Sequence, residues 1–559
     1  MDYQKVPRRA LLKGAGALAA HSLLRFPLAA AGAGLVAAAT PRAAEAAEFE
    51  LVNPRLAHPV FAQPGGSFFV EVRAARSLDP GGWRVQLRND LGAIWSVPIA
   101  DAYPTMVDYD RADGWRLVVR PSSSLSPELY SITVSHASRG DTLSAERCVS
   151  LVPNLEADWY ALHLTDEHVM YDSHKHYAND DPKSGYRSAD LVRWATPVVN
   201  LINPRVVFNT GDQAHQYATS GYRYSYNDDI YRCYLNAKRG YRVPSLMLLG
   251  NHEVHEKDEA QRQRDWARWE ELAGRRAYHV RIGSLWVFAH DYLDPDSRVF
   301  IERIYRESFG EGGVAGRVFL QHHTSAKGYR PDSNHAPTLM LVGHLHRQSV
   351  EDSWPYPILM SIAAHEYARG SVVRFEKRDG RWRSDARDRW ASSDVSLVGD
   401  YGAPKVSASF ATPNDGRARS NEVTVTNKLS QRFDDGRVRF VMADGSYAVK
   451  GGDVLARYRQ SDGKVVVLVR VDIPANGSLR LEIAEKSTTS VASQPETTEA
   501  ESQAPDGLGE MPLPLDERGE SLLPAGPPDL PGTERASVDP GDADHGAFQI
   551  SLPLLRAEP

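Results

Sequence analysis

SLMLLGNHEVHEK, residues 245–257, runs from a core strand straight into an amide, an imidazole and a carboxylate. Leu246 to Leu249 is an apolar run of the kind a buried strand presents; Gly250 stops it, and Asn251, His252 and Glu253 follow. One such ending is an ordinary turn. Four more stretches end the same way. LHLTDEHV delivers Asp166 and His168, and VVFNTGDQAH delivers Asp212 with His215 behind it. VFLQHHTS delivers His322 and His323, and LMLVGHLH delivers His344 and His346. In extended backbone, residues i and i+2 point the same way, so Asp166/His168 and His344/His346 are each expected to present two ligands on one face. Glycine before Asp212, Asn251 and His344 is expected to let the chain turn sharply at the strand end. Carboxyl ends of strands in open α/β sheets are where ligands bind.

These strands lie in residues 156–390, where apolar runs alternate with helical patterns at 186–202 and 257–273, which predicts an α/β domain. On either side the pattern is all-β. SFFVEVRAA, WRVQLRND, WRLVVRP and YSITVSHAS predict a fibronectin- or Ig-like β-sandwich over 47–155. NEVTVTN, GRVRFVMA, KVVVLVRVDI and SLRLEIAE predict a second β-rich domain over 391–486. Residues 487–559, rich in Pro, Glu, Ser and Thr, bury too little to order themselves and are expected to form an acidic disordered tail.

Asp-x-His, Gly-Asp, Gly-Asn-His-Glu, a later His after a strand, and Gly-His-x-His, in that order, resemble the calcineurin-like metallophosphoesterase superfamily. The resemblance implies a four-layer α-β-β-α domain of two packed mixed sheets flanked by helices. An all-β segment ahead of it is similar to the arrangement of purple acid phosphatases. The resemblance further implies two metal ions, with Asp166, His168 and His346 on the first, Asn251, His322 and His344 on the second, and Asp212 bridging. A metal-bridging hydroxide would attack a phosphomonoester or phosphodiester in line, with His252 assisting the leaving group. Imidazole and carboxylate together suit Fe, Zn or Mn rather than an all-oxygen Mg²⁺ or Ca²⁺ cage. Two carboxylates among seven ligands leave two divalent ions roughly +2 unneutralised, which favours an anionic substrate. One position departs from the pattern. His215 stands where protein phosphatases of the superfamily carry the Asp of an Asp–His dyad, and where purple acid phosphatases carry a metal-bound Tyr. No tyrosinate colour is expected, and His215 remains open as metal ligand, phosphate contact or supporting polar residue. His323 is a second substrate-contact candidate, His322 being preferred for the ligand position.

Composition bounds the alternatives. With 559 residues, two to four domains are expected, and 42% hydrophobic and 25% charged residues are typical of soluble globular proteins. Two cysteines, Cys148 and Cys233, make neither a disulfide framework nor a thiolate zinc site. Residues 1–46, with Arg8-Arg9 before an Ala/Gly/Leu stretch, resemble a twin-arginine export signal, so a periplasmic or secreted protein is expected. Arg25 and Pro27 interrupt that stretch, and no integral membrane segment is expected after its removal. The leader carries six Lys/Arg against two acids, and the tail fourteen acids against three Lys/Arg. The body between them is close to neutral, so nucleic acid is not a favoured partner. A small phosphoester is the expected substrate, and no partner protein is predicted. The rival reading is a non-catalytic cell-envelope scaffold retaining the fold.

Blander readings attach to the remaining polar residues. His163 is expected as a hydrogen-bonded core histidine, and His290-Asp291 as structural. His174, His176, Tyr177 and Asp180 are expected in a solvated loop, GYRYSYNDDIYRCY (221–234) fits helix packing as well as a substrate wall, and His365-Glu366 is left unassigned. Glu253 has no assigned role.

Overall fold

A computed structural model describes residues 49–107, 112–169, 188–217, 230–323, 329–351, 356–361 and 368–486. The expected leader and acidic tail lie outside the described residues, as do His174, His176, Tyr177, Asp180, His365, Glu366 and most of the tyrosine-rich stretch. The chain is mixed α/β, with many strands and few helices.

The motif-bearing strands fall into two sheets. In one, strands Trp159–Leu164, Val207–Asn209 and Ser245–Met247 are parallel neighbours, and Arg369–Arg378 pairs antiparallel with the first. In the other, Leu285–Ala289, Gly316–Leu320, Leu339–Val342 and Ile358–Met360 run parallel in that order, flanked by antiparallel strands Tyr278–Ile282 and Ser349–Glu351. Both sheets contribute to one apolar core that includes Ala161, Phe208, Leu246, Val287, Leu320, Leu341 and Phe375. Strands buried on both faces read as unbroken apolar runs: every residue of Trp159–Leu164, Leu285–Ala289 and Leu339–Val342 is buried. The flanking segments instead alternate, as in Phe68–Arg73 and Ser420–Asn427, because one face of each sheet meets solvent. Truncating one core leucine to alanine costs about 2–5 kcal/mol.

Helix Ser188–Ile202 lies on the first sheet through Leu191, Ala195, Val198 and Val199, in a cluster that also takes in Val423, Val425, Phe440 and Val469 of the C-terminal strands. Helix Pro295–Glu307 covers the second sheet through Ile301 and Tyr305 against Phe288 and Phe319. It starts at Asp294, whose carboxylate accepts from the amides of Asp296 and Ser297, with Pro295 in the first turn. The helix expected at 257–273 spans Glu259–Leu272, capped by Asp258, and its Trp266 and Trp269 are buried.

Several strands escaped the sequence pattern, Ile99–Val107 and Thr142–Leu151 among them. Ile99–Val107 contains Pro104 and an aspartate, and Thr142–Leu151 alternates only in its first half, Cys148 to Leu151 all being buried; both are held by neighbouring strands. Nor does the N-terminal all-β stretch keep to itself. The Ala57 amide donates to the Ala273 carbonyl at 2.8 Å and the Met247 amide to the Ala57 carbonyl at 3.0 Å, so this loop is stitched to a motif-bearing strand. Cys148, which is buried, and Cys233 are not joined by a disulfide. Among the described residues no helix is long and apolar enough to cross a membrane.

Candidate metal centre

Each candidate ligand lies just beyond the carboxyl end of a parallel strand. Asp166 and His168 follow Trp159–Leu164, Asp212 follows Val207–Asn209, and Asn251 and His252 follow Ser245–Met247. His322 and His323 follow Gly316–Leu320, and His344 and His346 follow Leu339–Val342. Because the two sheets face each other, these ends converge, and the nine residues, with His215, come together in one place.

The donors fall into two linked groups. Around Asp166, His346 Nε2 lies 3.1 Å from the carboxylate Oδ1, His168 Nε2 lies 3.8 Å from it, and the two Nε2 atoms are 3.1 Å apart. Around Asp212, His322 Nε2 lies 3.1 Å from Oδ2 and 2.9 Å from Asn251 Oδ1. Asp166, Asp212 and His322 can offer their donor atoms to one ion, which joins the groups. His344 sits with His322 and His323 on the far side, its ring centroid 5.2 Å from the first and 3.8 Å from the second. An ion holding donors at about 2.0–2.2 Å spaces neighbouring donors by roughly 3–3.5 Å. Four of the five separations, at 2.9–3.1 Å, are close to that spacing, His168 to Asp166 at 3.8 Å being wider, and two adjacent imidazole Nε2 atoms are otherwise poor company for each other.

Tautomers follow from the opposite ring nitrogens. His322 Nδ1 donates to the Thr210 carbonyl at 2.7 Å, and His252 Nδ1 donates to the Tyr217 carbonyl, which leaves both Nε2 atoms for the centre. His168 Nδ1 lies 2.8 Å from His215 Nδ1, so a single proton sits between the two rings and His168 Nε2 faces Asp166. His215 therefore supports His168 from behind and lies against His252, ring centroids 4.2 Å apart. His252 Nε2 is 3.9 Å from Asp212 Oδ2, and its backbone amide donates to Asp212 Oδ1 at 2.9 Å. His323 packs on His344 and on Tyr292; of the His322–His323 pair, it is His322 that reaches both Asp212 and Asn251.

The backbone here departs from the expectation of an extended i, i+2 pair. Asp166, His168, Asp212, His344 and His346 all have left-handed backbone, with φ of 54°, 46°, 53°, 72° and 49°. Among the described residues ten non-glycine positions have positive φ, so half of them are candidate ligands. Such conformations cost about 1–3 kcal/mol each and concentrate at functional sites. The ligand pairs converge from curled loops past the strand ends, not from the pleat. Only one of the three glycines acts by turning. Gly211 has φ of 101°, whereas Gly250 and Gly343 are required for space: a Cβ on Gly250 would lie 2.2 Å from Asp212 Oδ1, and one on Gly343 2.2 Å from Thr165 Oγ1 and 2.8 Å from Asp166 Oδ2.

Charge is strongly coupled across the cluster. Burial alone would raise Asp212, but His322 and His252 outweigh it and hold the carboxyl well below the usual range. Burial would likewise lower His322, yet the Asp212 carboxylate pushes it up to about 9. For His344, burial and the neighbouring His322 charge lower it to about 4. A buried imidazole that keeps a proton beside a carboxylate marks a position where a cation is favoured, so the residues present fit a metal.

Two acids that sequence reasoning left aside organise these loops. Glu253 accepts from the amides of Asp212 at 3.0 Å, Ala214 at 2.7 Å and Gly250 at 2.6 Å, pinning the Asp212 loop to the Asn251 loop. Burial, reinforced by Asp212, raises its carboxyl to about 8. Glu167, between two candidate ligands, accepts from Asn209 Nδ2 at 2.5 Å and lies 3.6 Å from the buried Lys238 ammonium. Only adjacency to the ligands signalled either residue. His163 is a core histidine bonded to Thr210 Oγ1 at 2.9 Å, and buried His290 and Asp291 lie outside the donor groups.

No protein-family model and no curated protein matches this chain. Solved structures similar to it include a predicted phosphoesterase from Streptococcus pneumoniae, at 11% identity over 41% of this chain and 97% of that one, with a TM-score of 0.18. Zinc-complexed Vps29 from Entamoeba histolytica aligns at 12% identity over 40% of this chain and 96% of that one, TM-score 0.17. GAP50, the anchor in the inner membrane complex of Plasmodium, aligns at 9% identity over 57% of this chain and 90% of that one, TM-score 0.26.

Proposed function

We propose that this chain is a metal-dependent phosphoric ester hydrolase acting on phosphomonoesters or phosphodiesters. The observation that carries the reading is the convergence of Asp166, His168, Asp212, Asn251, His322, His344 and His346 from five strand ends, with donors spaced for shared ions. Asp166, His168 and His346 would hold one ion, Asn251, His322 and His344 a second, and Asp212 both. Two bound transition-metal ions, Fe, Zn or Mn, would supply Lewis acidity and a water acidified toward neutrality.

The chain's own residues do the rest. Glu253 fixes the two loops that carry Asp212 and Asn251, so the donors are oriented before any substrate arrives. Tyr217 sets the His252 tautomer through its carbonyl, and the His252 Nε2 beside the centre carries the proton delivered to the leaving alkoxide. His215 holds His168 and does not replace it as a ligand. In this reading the residues 156–390 form a four-layer α-β-β-α domain flanked by β-sandwiches over 47–155 and 391–486. The leader directs twin-arginine export to the periplasm or medium.

The test uses metal-reconstituted protein on nitrophenyl phosphate and on bis-nitrophenyl phosphate, beside His252→Ala. Loss of general-acid assistance lowers kcat by about 10²–10⁴-fold, with metal content unchanged. Hydrolysis of neither ester by metal-loaded protein would reject the enzymatic reading and leave the scaffold.

A further inference from the structure

A second polar site lies away from the metal centre, where the N-terminal strands, the α/β part and the C-terminal strands meet. A cavity of about 50 Å³ there is lined by Arg147, Arg242, Arg437, Arg439, Asp90 and Glu128. One water needs about 10–15 Å³, so the space admits a small polyatomic ion. Its charges do not balance internally. Asp90 pairs with Arg439 at 2.8 Å and with Arg242 at 3.2 Å, and Glu128 Oε1 pairs with Arg439 at 2.8 Å. Those contacts use both carboxylates on two of the four arginines.

Arg147 and Arg437 have only main-chain oxygens for their Nη1 atoms, the carbonyls of Lys238 at 2.5 Å and of Pro127 at 2.6 Å. No carboxylate stands within ion-pair distance of either among the described residues, and the Nε of each is shielded from solvent with no hydrogen-bond partner. Tyr241, only 3% exposed, also lines the cavity, and its hydroxyl has no partner. Burial lowers both guanidinium groups from their ordinary value, outweighing the opposing pull of Glu146 on Arg147 and of Asp435 and Glu128 on Arg437. Buried donors in such numbers are costly unless something accepts from them. One acceptor is also unused: Glu128 Oε2 is buried and has no partner. A carboxylate oxygen in a cationic cavity is satisfied by an anion that carries its own proton. Hydrogen phosphate has that O–H and sulfate lacks it.

We propose that this three-part junction binds inorganic hydrogen phosphate, with Arg147, Arg437 and the Tyr241 hydroxyl donating to its oxygens and Glu128 accepting from its O–H. The site is independent of the metal centre and holds whether or not the chain is a hydrolase. Occupied, it clamps the three parts of the chain together, because its donors come from all of them.

Calorimetric titration of the full, metal-loaded protein with inorganic phosphate, with sulfate as the second arm, tests this directly. Wild type is expected to bind one phosphate more than Arg437→Gln, and its unfolding temperature rises with phosphate. Tyr241→Phe, which deletes one hydroxyl and leaves the fold intact, weakens that phosphate several-fold. Glu128→Gln narrows the preference for phosphate over sulfate, because an amide donates where a carboxylate only accepts. The constant for phosphate inhibition of ester hydrolysis reports the metal centre and stays unchanged in Tyr241→Phe and Arg437→Gln. Identical phosphate stoichiometry and affinity in wild type, Arg437→Gln and Tyr241→Phe would overturn the assignment. Equal binding of sulfate would overturn the role given to Glu128.

Discussion

Replacing Gly250 with alanine adds one methyl group at the point where two ligand loops touch. The new Cβ would lie 2.2 Å from Asp212 Oδ1, 2.5 Å from the Asp212 amide nitrogen and 2.8 Å from Asp212 Cγ. Contacts below 3.0 Å are essentially never seen for real Cβ atoms, so one side must move. Asp212 has little room to do so, since Glu253 holds its amide at 3.0 Å and its Oδ1 accepts from His252 at 2.9 Å. Relief therefore requires a shift approaching 1 Å in the carboxylate that joins the two donor groups. Overpacking of this kind costs about 1–3 kcal/mol of stability, and a 1 Å misplacement of a catalytic group about 10²-fold in rate. Gly343→Ala does the same from the other side, against Thr165 and Asp166, whereas Gly140→Ala meets nothing within 4 Å and serves as the control. Urea unfolding, metal content after dialysis and nitrophenyl ester hydrolysis report the three quantities. If Gly250→Ala and Gly343→Ala retain metal and activity at the level of Gly140→Ala, the donor geometry described above is not the working centre.

Metal binding should be pH-dependent, with its sign set by His322. The folded, ion-free protein raises this imidazole to about 9, above its ordinary value near 6.5. Its contribution to ion-free stability is complete below about pH 6.5 and is lost as pH rises through about 9. A metal must displace that proton, so affinity climbs over the same range while His344, lowered to about 4, adds nothing. Against burial, Asp166 raises His346 as well, so titration calorimetry in buffers of different protonation enthalpy should show about one to two protons released near pH 7; none released would refute the His322 assignment. Glu253→Gln puts an amide N–H₂ where the carboxyl oxygens accept from three backbone amides. Unfolding in urea should lose about 2–4 kcal/mol, and metal affinity about 10–100-fold; wild-type values for both would remove Glu253 from the site's support.

Much of the centre was legible because its signal is local. A buried parallel strand is an unbroken apolar run, so Leu246 to Leu249 and Leu339 to Val342 announce both the strand and its end, and the ligands stand next to the ends. What could not be read was the geometry that makes the ligands meet. Periodicity assigns Asp166 and His168 to one face of a strand, but the strand stops at Leu164 and both residues curl into left-handed backbone. Glu253 was invisible as an anchor, since its three partners come from residues 212, 214 and 250 and only the fold brings them near. The Arg147–Arg437 junction was equally hidden, its members being separated by most of the chain.

The strained backbone explains why the centre needs so much support. Five left-handed residues at about 1–3 kcal/mol each amount to at least about 5 kcal/mol, comparable with the whole net stability of a typical domain. Each loop that holds them is bonded to another ligand loop and not to its own strand alone. The Asp166 amide donates to the Gly211 carbonyl at 3.0 Å, the His168 amide to the Asp212 carbonyl at 2.9 Å, and the His344 amide to the Asp166 carboxylate at 3.0 Å. The ligands are thus braced against one another across the two sheets, so that no single loop relaxes without displacing a donor on the next. An arrangement that stores strain in its donors and spreads the bracing over four loops gains stability when cations are bound to those donors. That coupling is a reason for a chain to carry such loops at all, and an ordinary set of strand-to-helix turns would have had none.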